Sequence, residues 1–264
     1  MSSISFQTGA GWIAIFFFTA LINVLYHNAG AKSGTMNMEL RLLAPVEAIS
    51  DGIDRCKEMG KPVYMTIGCY AQLSGQYAPM TISAINIQRY AARLAIRRDV
   101  EPWFMVPMIP EALPLIDGVY REVCVAEGKP EAYKPEQIQW FGQLEAGYST
   151  GCAGIATRIR AGTAICAGAM SGTGDLAPTA ANRTVGALMI GGNARYTHQG
   201  VYSIWYDYTL WTSDVYAAGA YCSGDPNLLS SILAQDITTW MCIAIALVTL
   251  AVGSFAGTGW LSFP

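Results

Sequence analysis

The middle of the chain alternates between two hydrophobic periods, one typical of helices and one typical of buried strands. Residues 46–60 place apolar side chains three and four positions apart and end at a glycine, which predicts an amphipathic helix. Residues 62–68 form a short β-prone apolar run that also closes with a glycine. Because this alternation continues as far as Ser223, the pattern predicts strands that are separated by helices.

The short apolar runs are the strand candidates. They are residues 62–68, 102–109, 137–141, 162–170, 187–192 and 206–211. Strands that are joined through helices pair in parallel by right-handed crossovers, and uninterrupted apolar strands suit a sheet that is covered on both faces. The predicted fold is therefore α/β, with a doubly wound, mostly parallel, Rossmann-like sheet of about five or six strands. Residues 137–141 are expected to form a short edge strand.

Charge adds a second feature, because it is excluded from both ends of the chain. All 16 Lys and Arg residues and all 19 Asp and Glu residues lie between Lys32 and Asp236. Residues 11–31 and 237–263 are apolar, carry aromatic residues near their ends, and are long enough to cross about 30 Å of hydrocarbon as helices. The predicted division is an N-terminal tail and transmembrane helix over residues 1–31, a Rossmann-like domain over 32–236 and a C-terminal transmembrane helix over 237–264.

The orientation of these helices is predicted from the basic residues beside them. A cleaved signal peptide is the alternative for the first apolar run, but no basic segment precedes that run. Lys32 and Arg41 follow it, whereas both outer tails lack basic residues. Because basic residues favour the cytoplasmic side, we expect a cell-membrane protein with two spans, a cytoplasmic α/β domain and both termini outside.

Three polar side chains interrupt the first predicted span, namely Asn23, His27 and Asn28. Polar groups within lipid mark contacts between helices or a functional pathway. Two helices are too few to form a transport pathway alone. We therefore expect these residues to serve the association of helices with like or unlike partners.

Several longer phrases carry a resemblance to a known family. They are "KPVYMTIG", "REVCVAEGKPEAYKPEQIQWF" and "YDYTLWTSDVYAAGAYCSGDPNLLSSILAQD", the last running into the second predicted span. Over roughly residues 42–236 the sequence resembles a family of membrane-anchored proteins, the domain of unknown function DUF6754. The resemblance implies an α/β domain between or beside transmembrane helices, and it implies no particular activity.

The cysteine and histidine content argues against a metal centre. The seven cysteines are odd in number and irregularly spaced, no C-x-x-C pair occurs, and only two histidines are present. These features predict neither a zinc site nor a disulfide framework. We expect scattered, reduced cysteines that pack as small apolar side chains.

Candidate ligand-binding residues follow the predicted strands, because ligands of open α/β sheets bind outside the carboxyl ends of the strands. A glycine there would let a ligand approach the backbone, and it would equally serve a tight turn. No G-x-G-x-x-G follows the first strand and no P-loop is present, so the pattern identifies no cofactor. The tentative rim residues are Gly68, Cys69, Gly168, Gly192, Asn193, His198 and Asp214.

Each polar rim residue has a structural alternative. Cys69 would need a base to act as a nucleophile, and His198 would have to supply it; a packed, inert cysteine is the simpler interpretation. His198, Asn193 and Arg195 would together bind an anion or simply cover a helix start. Asp214 lies at a predicted helix start, where N-capping explains it.

Residues 171–184 form the most irregular stretch of the domain. The sequence predicts a loop that leads into a short helix, with Thr173 or Asp175 as its cap. The sequence "SGTGD" within it has two glycines but no preceding turn of the dinucleotide-binding type.

These features lead to two functional hypotheses. The first is a membrane-anchored, non-catalytic α/β module, a structural or accessory subunit that self-assembles or joins a larger membrane complex, with the lipid bilayer as a further partner. Abundant Tyr and Trp residues, 14 and 7 in number, suit such interfaces. The alternative is a membrane-tethered protein that binds a nucleotide or small anion at the rim, or an enzyme that uses it. We expect no nucleic-acid partner.

Overall fold

The computed structural model describes residues 8–33 and 43–255 of the chain. Two compact units are present: the first comprises Met1–Leu40 and Gly224–Pro264, and the second comprises Arg41–Ser223. The predicted boundaries at residues 31 and 236 remain a prediction. Arg41, on which the predicted orientation partly rests, lies outside the described residues, as does the predicted second span beyond Phe255.

The second unit is built on a parallel sheet of six strands, which form in the six predicted apolar runs, with β5 extending one residue beyond its run. The strands are β1 (Val63–Thr66), β2 (Pro102–Met105), β3 (Ile138–Gln139), β4 (Thr163–Gly168), β5 (Leu188–Asn193) and β6 (Tyr208–Thr209). Every pairing is parallel, as in the register of Val63 with Pro102 on one side and with Thr163 on the other. The predicted parallel α/β sheet is confirmed.

Helices connect the strands and also form the first unit. They are α1 (Thr8–Ser33), α2 (Ala44–Met59), α3 (Ala78–Arg97), α4 (Leu113–Ala126), α5 (Glu145–Ile159), α6 (Leu176–Thr184), α7 (Gln199–Trp205), α8 (Ser213–Ser223) and α9 (Pro226–Phe255). The helix predicted from residue 46 begins at Ala44, with Pro45 in its first turn, and ends at Gly60 in a left-handed conformation.

The sheet separates two apolar cores, because alternate side chains of each strand point to opposite faces. In β1, Met65 joins a core with residues of α2, α3, α4 and α8, whereas Tyr64 joins a second core with residues of α5 and α7. Both faces are therefore covered by helices. This arrangement explains why the strands are uninterrupted apolar runs rather than alternating ones.

The strand order is β3-β2-β1-β4-β5-β6, so the direction of the order reverses between β1 and β4. This is the order of doubly wound sheets, in which a crevice opens outside the carboxyl ends of the two central strands. The turns after β1 and β4 meet there. Gly68 has a φ of 93°, and a Cβ at this position would lie 2.5 Å from the backbone of Ala169. Only glycine fits this approach of two backbones.

The first unit contains α1 and α9, which are joined by polar contacts. Asn23 Nδ2 donates to the carbonyl oxygen of Ala234 at 3.0 Å and to Thr238 Oγ1 at 3.2 Å. Ser230 Oγ donates to Asn28 Oδ1 at 2.5 Å, and His27 Nδ1 bonds the backbone oxygen of Asn23 within its own helix. Two of the three polar residues predicted in the first span therefore bind the other helix.

One helix in the described part of the chain is long and apolar enough to cross a membrane. The segment is Pro226–Leu247 of α9, 22 residues long. The predicted span began at Ile237, but the helix begins earlier because Pro226 starts it and the following residues continue it without a break. Residues 226–236, which precede the predicted span, are thus part of the same helix.

Candidate functional site

Polar side chains converge at the crevice between the carboxyl ends of β1 and β4. They come from the last residue of β1 and the turn after it, from the first turns of α5 and from the loop between β4 and α6, where Gly174 contributes its backbone N–H. We call this group the switch-point cluster. It consists of Thr66, Cys69, Tyr70, Glu145, Tyr148, Ser171, Thr173, Gly174 and Asp175.

The Asp175 carboxylate lies at the centre of the cluster and is fully buried. Its Oδ2 accepts the backbone N–H groups of Cys69 at 2.9 Å and Ser171 at 2.7 Å, and its Oδ1 accepts the Tyr148 hydroxyl at 2.9 Å. The carboxylate therefore ties the turn after β1 to the loop after β4 and to α5. Asp175 occupies the N-cap position of α6, but its side chain makes no capping hydrogen bond to that helix.

Burial controls the acidity of Asp175. Desolvation raises the pKa of its carboxyl group from 3.8 to about 6. The hydrogen bonds from the Ser171 and Cys69 backbones and from Tyr148 oppose this shift, whereas the charge of Glu145 adds to it. The three hydrogen-bond donors thus only partly offset the effect of desolvation on the pKa of Asp175.

The Glu145 carboxylate holds the same loop from the other side. Its Oε1 accepts the hydroxyl groups of Ser171 and Thr173 and the backbone N–H of Gly174, and its Oε2 accepts the Tyr70 hydroxyl at 3.1 Å. Hydrogen bonds, first from Ser171 and then from Thr173, lower the pKa of Glu145. Two carboxylates of the chain itself therefore bind four donors that the "SGTGD" loop would offer to an anion, namely the hydroxyl groups of Ser171 and Thr173 and the N–H groups of Ser171 and Gly174.

Tyr148 extends the cluster into the sheet. Its hydroxyl lies 2.8 Å from Thr66 Oγ1, and Thr66 Oγ1 accepts the backbone N–H of Gly68 at 3.1 Å. A continuous chain of hydrogen bonds thus runs from Asp175 to the end of β1. Because all of these groups are buried, each bond fixes the position of the next.

The glycines predicted at the rim are required by the packing of the chain on itself. A Cβ at Gly168 would overlap the carbonyl oxygen of Ile67, and one at Gly192 would overlap the carbonyl oxygen of Leu210. Gly68 meets the backbone of Ala169, as described above. Close approach of neighbouring backbones accounts for all three glycines without a ligand, which is the turn interpretation of the sequence pattern.

Cys69 is a buried thiol rather than an activated one. Burial, followed by the charges of Asp175 and Glu145, raises its pKa. Its sulfur packs against Gly174, where a Cβ would come within 2.8 Å of it. His198 shares no hydrogen bond with Cys69 in the described residues, and its Nδ1 lies 3.1 Å from Thr197 Oγ1. The geometry gives no support to a Cys–His nucleophile.

The other predicted rim residues divide between two places. Asn193 is buried and bridges β5 to the loop after β4, because it donates to the carbonyl oxygen of Met170 and accepts the N–H groups of Met170 and Arg195. The His198 ring lies against Gly172 in that loop. Asp214 lies after β6 instead, where its Oδ2 accepts the N–H of Trp211 before α8, an interaction of the capping type.

Glu145, Tyr148 and Asp175 were not predicted as site residues. Glu145 and Asp175 are separated by 30 positions along the chain, and each stands where a helix begins, so helix capping explains each of them in the sequence. These three residues could be predicted as a site only from the strand order, because that order brings the first turn of α5 and the loop after β4 to the same crevice. No group of three or more His, Cys, Asp or Glu residues suited to a metal ion occurs within residues 8–33 and 43–255.

Comparison with known proteins extends the likeness found in the sequence. A family model, described as domain of unknown function DUF6754, matches residues 2–262 and so covers both hydrophobic ends as well as the α/β domain. No curated protein and no solved structure matches the chain.

Proposed function

Because the chain belongs to the DUF6754 family over nearly its whole length, we propose that helices and α/β domain form one functional unit. The unit is a membrane-anchored, non-catalytic module that assembles with itself or serves as a subunit of a larger membrane complex. The family match includes the terminal helices, so they are part of the family domain and not appendages to it.

The proposed membrane anchoring rests on the exposed side chains of α9. Trp240 is 71% exposed, Leu247 is 60% exposed and Leu250 is 67% exposed, and Asp236 is the only charged residue in the helix. Large apolar side chains at this density are costly in water, whereas hydrocarbon is a favourable environment for them. A lipid bilayer is the environment in which this surface is stable.

The proposal includes α1 as a second span beside α9. It is 26 residues long, which corresponds to about 39 Å at 1.5 Å per residue. Phe17, Phe18 and Ile22 are largely exposed, and Asn23 faces α9. The charge-free tails, together with Lys32 in the last turn of α1 and Arg41 further along the chain, support a cytoplasmic α/β domain with both termini outside.

The switch-point cluster supports a role without catalysis. Its two carboxylates are satisfied by donors of the chain itself, and Cys69 carries a buried thiol of raised pKa. These groups hold loops in place. The α/β domain also exposes large apolar residues, including Tyr196 at 83% and Ile204 at 80%. Aromatic and aliphatic anchors of this kind suit contact with another subunit.

The anchoring is tested with Cys242, an exposed cysteine of α9. In sealed native membranes we expect a membrane-impermeant maleimide to leave Cys242 unmodified, because lipid surrounds it, and to modify it fully after SDS is added. Cys242→Ser identifies the modified thiol. Glu58→Cys, on the exposed side of α2, is the matched control that should react once membranes are made permeable. Modification of Cys242 in permeable membranes at the rate of Glu58→Cys would refute the anchor.

The assembly is tested separately by native mass measurement in mild detergent. We expect a mass of at least two chains, or of one chain together with other subunits. The reason is that contact with another subunit would bury the exposed aromatic and aliphatic residues of the α/β domain. Ile204→Ser and Tyr196→Ser should then reduce the assembled fraction, whereas Glu58→Ser, at an exposed polar position, should not. A single chain without partners at all protein concentrations would contradict this part of the proposal.

A further inference from the structure

Arg195 lies at the rim of the sheet, just after β5, above two tyrosines. Its guanidinium carbon is 5.8 Å from the ring centre of Tyr70 and 5.2 Å from that of Tyr77. The two rings are stacked, with centres 6.3 Å apart and an angle of 20° between their planes. Cation–π attraction therefore holds the guanidinium at one place.

No acceptor within residues 8–33 and 43–255 uses the hydrogen-bond donors of this guanidinium. Across the described residues it makes no ion pair and donates no hydrogen bond to a protein acceptor. The side chain is half-buried, so water still reaches it. A guanidinium has five N–H donors in one plane, and those donors match the oxygens of a phosphate or carboxylate group.

The backbone around Arg195 is also fixed. Its N–H donates to Asn193 Oδ1 at 3.0 Å, and the same side chain holds Met170 in the loop after β4. Tyr70 is fixed in turn by Glu145 at 3.1 Å. The Arg195 guanidinium is thus held between the carboxyl ends of β1 and β5, the two strands that flank β4 in the sheet. This is the edge of the sheet at which doubly wound folds bind their ligands.

We propose that Arg195 is the anchor of a binding site for a small soluble oxyanion, either a phosphoryl group or a carboxylate. This inference goes beyond the membrane-anchored role. It locates the predicted anion site at Arg195 rather than at the rim glycines or at the "SGTGD" loop, where Asp175 and Glu145 already bind both hydroxyl groups and two of the N–H groups. Glu145 limits the ligand, because its negative charge beside Tyr70 disfavours highly charged anions such as polyphosphates.

The test is a thermal-shift measurement on the full chain in an uncharged detergent. Inorganic phosphate and acetate, each at about 10 mM, are compared with chloride at the same ionic strength. We expect at least one of them to raise the unfolding midpoint by about 3 °C, because a ligand that binds the folded state stabilises it by mass action. Phosphate and acetate distinguish a phosphoryl ligand from a carboxylate.

Variants separate this site from general salt effects. Arg195→Gln should abolish the shift. Arg158→Gln is the matched control, since Arg158 also lies over an aromatic ring, 5.7 Å from the centre of Trp103, and should leave the shift unchanged. An equal shift in Arg195→Gln, a loss of the shift in Arg158→Gln, or no shift with either anion would overturn the proposal. None of these outcomes affects the Cys242 result, so the two proposals fail independently.

Discussion

Replacing Gly192 with alanine is expected to lower the free energy of unfolding by about 3 kcal/mol, because the added methyl group would overlap the carbonyl oxygen of Leu210. That carbonyl cannot move freely. It accepts Gln199 Nε2 at 3.0 Å, and the N–H of Leu210 donates to Gly191 at 2.8 Å. Strand β6 would have to shift as a whole, with loss of its pairing to β5.

The measurement is urea unfolding of the full chain in detergent micelles. Gly154→Ala is the matched control, because Gly154 is an exposed glycine within α5 and a Cβ there meets no atom within 4 Å. That substitution should stabilise the protein by about 0.5–1 kcal/mol. If Gly192→Ala were as stable as the wild-type chain, the packing explanation for this glycine would be wrong.

The second large effect is a dependence of stability on pH that arises at Asp175. Its pKa is raised from 3.8 to about 6 on folding, so the folded protein binds the proton more tightly than the unfolded chain does. The stabilisation is therefore complete below about pH 4 and is lost as the pH rises through 6. A rise of this size in the pKa of Asp175 corresponds to a change of about 3 kcal/mol in the free energy of unfolding. Glu145, whose pKa is lowered, has the opposite effect and loses its contribution as the pH falls below 4.5.

This dependence is measured as the free energy of unfolding between about pH 4.5 and 8, a window that excludes most of the Glu145 effect. Asp175→Asn should remove the decrease between pH 5 and 7, because an amide has no proton to lose. Asp51→Asn, at an exposed position of α2, should retain it. A decrease of equal size in Asp175→Asn would show that another group is responsible.

Much of the fold could be predicted because its strands are short apolar runs that alternate with segments of helical period. The run at residues 162–170 became β4, and the weak run at 137–141 became the edge strand β3, as expected. The extent of α9 was missed. The predicted span began after Asp236, the last charged residue of the chain, but a helix tolerates charged and polar residues near its start.

The candidate site could be predicted only in outline. Strand-ending positions such as Gly68 and Asn193 identify the rim, since the carboxyl ends of parallel strands share one edge. The partners of Asp175 depend on strand order, and periodicity does not encode that order. Arg195 was noticed only as a neighbour of His198, and its placement over Tyr70 and Tyr77 depends on how turns from β1 and β5 approach each other.

The two outer strands of the sheet, β3 and β6, have only two residues each. Under the proposed membrane anchoring, copies of this protein would meet each other often, and a long free strand edge would let neighbouring copies add to one another's sheets. Edges as short as Ile138–Gln139 and Tyr208–Thr209 offer too few backbone groups to serve as a template for such growth. Crowded copies of this protein can therefore touch through their side chains without polymerising into fibres.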